Sequence, residues 1–456
     1  MGLIATTCAG CATYAPLPLD NMLGASVARL SVPASSMPTR PLARHRFDAS
    51  NGLDVTEVAM LAVANNPQLK VKRDALGIAR AQAFAAGLLP DPQISAGMDF
   101  PTSTGPGQTR AFNAGLSEDI GALLTRSART TAARAHGRQI NLELLWAEWQ
   151  TIARARLLFD QMRSTRAQVH LLQREQQALL PLGKHIHLAL VHGNLTYTEA
   201  NSGLNALADV RRQLADAMRA HRHANHVLHL LLGLSPQVAL HLVGAPWHAV
   251  PDTAQVRHAL ASLPKRRPDL LALQAGYAAQ EAHLRGAILA QFPAITLGFN
   301  RARDTSNVYT SGFSIGITLP LFNRNRGNIA IARATRQQLH DAYAARLLAT
   351  RSDIDRLQHD LTALDRQIKT QTRHAQQLNA ARSAAMHAWH ANQLDWPTYL
   401  AIRGNALSAD LQLIALHRQR ATQAIALTTL LGGDWNTSGG AHAMSRTTSN
   451  ASSTTP

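Results

Sequence analysis

Histidine is the residue type that most invites chemistry in this chain. His223, His226 and His229 stand three apart in HRHANHVLHL, and the HIH triplet at 185–187 is followed by His192. Imidazoles at i and i+3 share one stripe of a helix and are ready ligands for a transition metal. No Asp, Glu or Cys completes either set. No metal site and no cofactor is therefore expected. Catalysis has as little support: no nucleophile beside a base, no metal set and no phosphate-binding loop stands out, so the chain is not expected to be an enzyme.

The two cysteines, Cys8 and Cys11, lie in TTCAGCATYAP at the N-terminus. A disulfide framework or zinc site would need them spread through the fold. The segment CAGC resembles the end of a bacterial lipoprotein signal, with Cys11 as the residue to be lipidated. Residues 1–11 read as such a signal in truncated form, since Met1 to Gly10 is short and lacks a basic start. Two incidental cysteines are the other reading.

The 456 residues carry a formal net charge of +17, and 46% are hydrophobic. That content supports a core, and no run of eighteen apolar residues offers a transmembrane helix. The basic residues are scattered singly and aromatics are few, so no nucleic-acid partner is expected.

The polar residues with the clearest setting are Gln93, Asp99, Asn113 and Asn300. Each falls in an alternating run. Ile94, Ala96, Met98 and Phe100 alternate with Gln93, Ser95, Gly97 and Asp99; Phe112, Ala114 and Leu116 with Asn113, Gly115 and Ser117. Ile295, Leu297 and Phe299 alternate with Thr296, Gly298 and Asn300, and GFSIGITL (312–319) repeats the pattern. Period two means strands with one apolar and one polar face. The polar connectors at 101–110 and 303–310 make two hairpins.

Around the hairpins the chain is duplicated. Pro67 and Pro268, Pro92 and Pro293, and Gly115 and Gly316 are each 201 residues apart; the Leu232-Gly233 and Leu431-Gly432 endings are 199 apart. The repeats are placed at 53–252 and 253–435, after a linker at 12–52 and before a Ser/Thr-rich tail at 436–456 expected to be disordered. Each repeat reads as a short helix, a helix (67–89 and 268–291), a hairpin, a very long helix (125–191 and 326–391) and a return helix. A long helix of this length spans roughly 100 Å. Leu347, Ile354, Leu357, Leu361, Leu364 and Ile368 form a coiled-coil seam, and Leu142, Leu145, Trp149, Ile152 and Phe159 a weaker one.

Four strands cannot close a barrel, and an open sheet leaves two edges that a bilayer does not tolerate. Three chains would close twelve strands, apolar outside and polar within. The fold expected is mostly α with a small β part: two tandem repeats of long coiled-coil helices plus one hairpin. The alternative is a soluble coiled-coil scaffold whose charge binds anionic surfaces.

RPDLLALQAGYAAQEAHLRGAILAQFPAITLGF (267–299) and LPLFNRNRGNIAIARA (319–334), with the two-fold pattern over 53–435, look like the TolC family of outer-membrane efflux proteins. The segments LPLFNRNRGN (319–328) and AAGLLPDPQIS (85–95) look most like the cobalt-zinc-cadmium branch. The resemblance implies a homotrimer whose 12-stranded β-barrel crosses the outer membrane, in contact with its lipid, and continues as an α-helical tunnel through the periplasm. It implies a periplasmic adaptor and an inner-membrane efflux pump as partners, and passive export of metal ions or small toxic compounds. Gln93, Asp99, Asn113 and Asn300 would face the lumen. Family members narrow the periplasmic mouth with acids just after the second helical turn; Thr398 and Ala401 stand there instead, so Glu199 and Asp395 are the candidates.

Overall fold

The computed structural model describes residues 14–19, 32–102, 107–245 and 250–432. The helices are α1 (Arg40–Arg44), α2 (Val55–Asn65), α3 (Pro67–Gly87), α4 (Gly121–Val191), α5 (Tyr197–Leu232), α6 (Thr253–Arg266), α7 (Pro268–Leu289), α8 (Arg326–His390) and α9 (Trp396–Leu431). The strands are β1 (Gln93–Asp99), β2 (Ala111–Asp119), β3 (Ala294–Arg303) and β4 (Tyr309–Thr318).

The repeats begin alike. Asp54 and Glu57 form a capping box on α2, and Asp252 and Gln255 form one on α6. Both satisfy backbone N–H groups that a helix start leaves without partners. Pro67 and Pro268 occupy the first turns of α3 and α7, where a missing N–H costs nothing.

Helix α4 has 71 residues and α8 has 65, so they rise roughly 105 and 98 Å. Helix α4 starts at Gly121, earlier than expected, because the Asp119 carboxylate accepts the Ala122 N–H at 3.3 Å. Pro181 lies inside α4, which continues to Val191. At the far end both long helices turn through a left-handed residue, Gly193 (φ 70°) or Asn392 (φ 57°). Glycine adopts that conformation freely and asparagine more readily than other side chains.

Ile354, Leu357, Leu361 and Leu364 of the seam are buried, and Leu347 is half-buried against them. Two core clusters mirror each other midway along the molecule. One joins Val58 and Ala62 of α2 to Phe159 of α4 and Leu228 and Leu232 of α5; the other joins Ala259 and Leu263 of α6 to Ile354 and Leu361 of α8 and Leu427 and Leu431 of α9. Met37 and Leu42 pack on the first cluster, so part of the stretch read as a linker is anchored.

The strands form one antiparallel sheet in the order β1-β2-β3-β4. Ser117 opposite Gly298 and Asn113 opposite Ala302 join the two hairpins. Both hairpins therefore point the same way, and the described helices lie at the other end. Cys8, Cys11 and the 436–456 tail lie outside the described residues.

Candidate functional site

The register puts Gln93, Asp99, Asn113 and Asn300 on one face. Asn113 lies opposite Gly97 and Ala302, and Asn300 opposite Gly115 and Gly312. Gln93 and Asp99 share the parity of Gly97 and pair with Ser117 and Ala111. Glycines sit across from the polar side chains: a Cβ at Gly97 would come within 2.9 Å of the Asn113 amide, and one at Gly115 within 2.7 Å of the Ser95 hydroxyl. The polar side chains fold over the glycines. Small residues on this face thus leave room for polar ones, a relation that alternation alone does not reveal.

The opposite face carries Ile94, Met98, Leu116, Phe313, Ile315 and Ile317, all exposed. Phe313 is 89% and Ile94 83% exposed. Phe299 packs on Phe313 with ring centres 5.3 Å apart. So large an apolar surface is not stable in water and marks a surface that lipid or protein covers. Strands β1 and β4 remain as edges.

At the far end of the helices, the buried Glu175 of α4 accepts two hydrogen bonds from Arg403 of α9, both 2.8 Å. Arg403 also donates to the Tyr399 hydroxyl at 2.7 Å, and Tyr399 stacks on Trp389 at 5.0 Å. This chain of contacts ties the first repeat to the second near the turn between α8 and α9. Burial alone would lower the Arg403 pKa, but Glu175 and Tyr399 outweigh it and raise it. Sequence reading missed the pair, although each charge interrupts an apolar stripe: Glu175 between Leu172 and Leu179, Arg403 between Leu400 and Leu407.

Of the two mouth candidates, Asp395 is the N-cap of α9 and accepts the Thr398 N–H at 2.7 Å. That hydrogen bond holds its carboxyl below the ordinary range. Glu199 falls in the first turn of α5, and its side chain lies outside those described.

Comparisons with known proteins agree with this geometry. Residues 259–433 match the family model described as outer membrane efflux protein. The chain is 25% identical over 419 residues to the pyoverdine export outer membrane protein OpmQ of Pseudomonas putida, covering 84% of this chain and 86% of that one. A solved structure of CusC superposes with a TM-score of 0.70 at 19% identity, covering 88% of this chain and 98% of CusC. The outer-membrane channel OprN gives 0.71 at 17%, covering 93% and 100%.

Residues 259–433 thus match the outer membrane efflux protein family, and the fold of the whole chain is that of the solved channels.

Members of this family are passive ducts and not enzymes, and the fold is TolC-like. The relative and the channel structure that the chain resembles are named for the outer membrane. The three histidines spaced along α5 divide between buried and exposed positions. His229 is buried with its ring nitrogens 2.7 Å from the carbonyls of Asn225 and Val238, while His223 and His226 are exposed. The stripe does not converge. Among the described residues, His45, Asp54 and Glu57 bring ligand atoms within 4.8 Å of one another. Their carboxylates already serve the backbone: Asp54 accepts from Thr56 and Glu57, and Glu57 from Asp48 and Asp54. The group is a capping box with a histidine beside it.

Proposed function

We propose that three copies of this chain close a twelve-stranded barrel and form the outer-membrane channel of a tripartite efflux system. One observation carries the reading. A two-faced sheet with its apolar face bare and both edges open stands on helices roughly 100 Å long. Joining β4 of one copy to β1 of the next removes every edge, which a bilayer requires. The polar face then lines the lumen, with Gln93, Asp99, Asn113 and Asn300 hydrating the pore. Below it the helices make a periplasmic tunnel that meets an adaptor, and through it the inner-membrane pump that supplies the energy.

Glu199 and Asp395 stand at the periplasmic mouth. Asp395 acts there first as a helix cap. The Glu175–Arg403 pair, near the same end, holds α9 against α4 and opposes widening of the tunnel.

The cargo is metal ions or small toxic compounds. The similarity of 85–95 and 319–328 to the cobalt-zinc-cadmium branch favours metal ions; the relatives named for pyoverdine export favour a small compound. Growth of a strain lacking this chain distinguishes them, on graded zinc, cadmium, cobalt and copper beside dyes, detergents and antibiotics. Sensitivity to metals alone supports the metal cargo, and sensitivity to the organic compounds alone rejects it. Trimer closure is tested separately by electrophoresis of outer-membrane fractions. A band at three times the chain mass that falls to one on boiling is expected, and a monomer before boiling rejects the barrel.

A further inference from the structure

The apolar face of the sheet turns basic at the hairpin tips. Arg301 and Arg303 share the parity of Leu297 and Phe299, so their side chains leave the sheet on its apolar side. Arg303 is fixed in place: it donates to the Arg110 carbonyl at 2.7 Å and lies 5.5 Å from the Phe112 ring and 5.8 Å from the Tyr309 ring. Arg110 lies over Phe100 at 5.3 Å. Arg301 differs from both. Its register neighbours, Ala114 and Ser311, are small; it is exposed and has no hydrogen-bond or ion-pair partner among the described residues. The carboxylate of this face on the described strands, Glu118, lies opposite Leu297, about 13 Å along the strand from Arg301 at the usual strand rise.

Depth gives these arginines a meaning. From Ile295 to Arg301 the strand rises roughly 20 Å, close to the height of the apolar band of a membrane barrel. The helices lie at the other end, so the arginines sit at headgroup level on the side away from the periplasm. Guanidinium groups match phosphate oxygens with paired hydrogen bonds, and a neighbouring apolar phase strengthens the attraction. Basic residues beside a bilayer are a readable sign of anionic headgroups.

We propose that Arg301, with Arg303 and Arg110 beside it, binds the phosphates of the phosphorylated glycolipid that forms the outer leaflet of the outer membrane. This rests on the barrel reading above. The full-length protein, extracted from outer membranes in mild detergent, is mixed with bisphosphorylated lipid A, dephosphorylated lipid A or phosphatidylglycerol and examined by native mass spectrometry. Retention of the bisphosphorylated lipid should exceed that of the other two by roughly fivefold or more, as expected for a charge-assisted contact. Arg301→Gln should abolish most of that preference, and Arg301→Lys should restore part of it.

Equal retention of phosphorylated and dephosphorylated lipid A overturns the proposal. So does an unchanged preference in Arg301→Gln, and equal retention of phosphatidylglycerol overturns the glycolipid assignment. The mass of the lipid-free particle separates the two levels of the argument. A monomer sinks the barrel reading and this proposal with it, whereas a trimer without lipid preference sinks this proposal alone.

Discussion

The two repeats meet the same structural demand with their charges exchanged. Where α2 hands over to α3, Asn66 caps α3 by accepting the Leu69 N–H at 3.0 Å and donates to the Leu231 carbonyl at the end of α5 at 2.8 Å. At the equivalent position, 201 residues on, stands Arg267, fully buried. It donates to the Leu430 carbonyl at the end of α9, to the Thr350 hydroxyl and twice to Asp269, and lies 4.9 Å from the Trp146 ring. Two turns later the roles reverse. Arg73 donates to the Val63 carbonyl and to Glu148; Gln274, 201 residues on, donates to the Pro264 carbonyl and is 3.2 Å from the Tyr343 hydroxyl. At both pairs of equivalent positions an arginine in one repeat stands for an amide in the other, and the two reach equivalent carbonyls. What the fold requires is donors at the end of the return helix, and either an amide or a guanidinium supplies them.

The exchange has unequal consequences, because a buried charge cannot be left alone. Arg267→Ala would strip Asp269 of its nearer partner, at 2.6 Å, and leave it with Arg346 at 2.8 Å. The expected loss is about 3–5 kcal/mol, the usual cost of breaking a buried ion pair. Thermal unfolding followed through tryptophan emission measures it. A loss below about 1 kcal/mol would mean that water or Arg346 replaces the arginine.

The same site sets an acid limit. Burial would raise the Asp269 pKa, but Arg267 and Arg346 outweigh it and hold the carboxyl below its ordinary range. Its contribution is therefore complete above the unfolded value, about 3.9, and is lost as pH falls through the lower folded value. The wild type should lose stability steeply below about pH 4, and Asp269→Asn should flatten that region. Equal acid slopes for the two proteins would contradict the assignment.

Much of this was legible in the sequence for physical reasons. Alternation with period two fixed the parity of Gln93, Asp99, Asn113 and Asn300, because any strand bearing them must place them together. The long helices showed as runs without breakers, and matched prolines exposed the duplication. What remained hidden depends on pairing distant segments. Glu175 and Arg403 are 228 residues apart, and nothing local says that α4 meets α9. Pro268 was readable as a first-turn proline, but the roles of Arg267 and Asp269 require the end of α9 to be in place. His229 looked like one of a ligand stripe until Val238 folded back over it.

A second carboxylate, in the first repeat, has the opposite sign. Asp160 is buried in α4, and burial pushes its pKa up to about 6, against the pull of Arg418 and Arg163. An acid whose folded pKa exceeds its unfolded value costs stability when ionised; the cost is full above about pH 6 and is relieved as pH falls towards 4. Asp160→Asn should thus stabilise the protein at neutral pH by on the order of 2 kcal/mol and gain little at pH 4. A neutral-pH loss would show that the ionised carboxylate is held by its arginine neighbours.

The smallest effect belongs to Asn66. Its replacement by alanine removes a cap and one donor to Leu231 but strands no charge. Loss of a cap costs typically about 1 kcal/mol, and a carbonyl at a helix end that regains water costs little more. Asn66→Ala should therefore fall several-fold short of Arg267→Ala in the same melting experiment, with no change in acid slope, since no titrating partner is disturbed. If the two substitutions cost the same, the buried charge adds nothing to the second junction, and the donors alone account for both. If Asn66→Ala costs more, the first junction is the tighter of the two, and the anchoring of Met37 and Leu42 on its core gives a reason to look there.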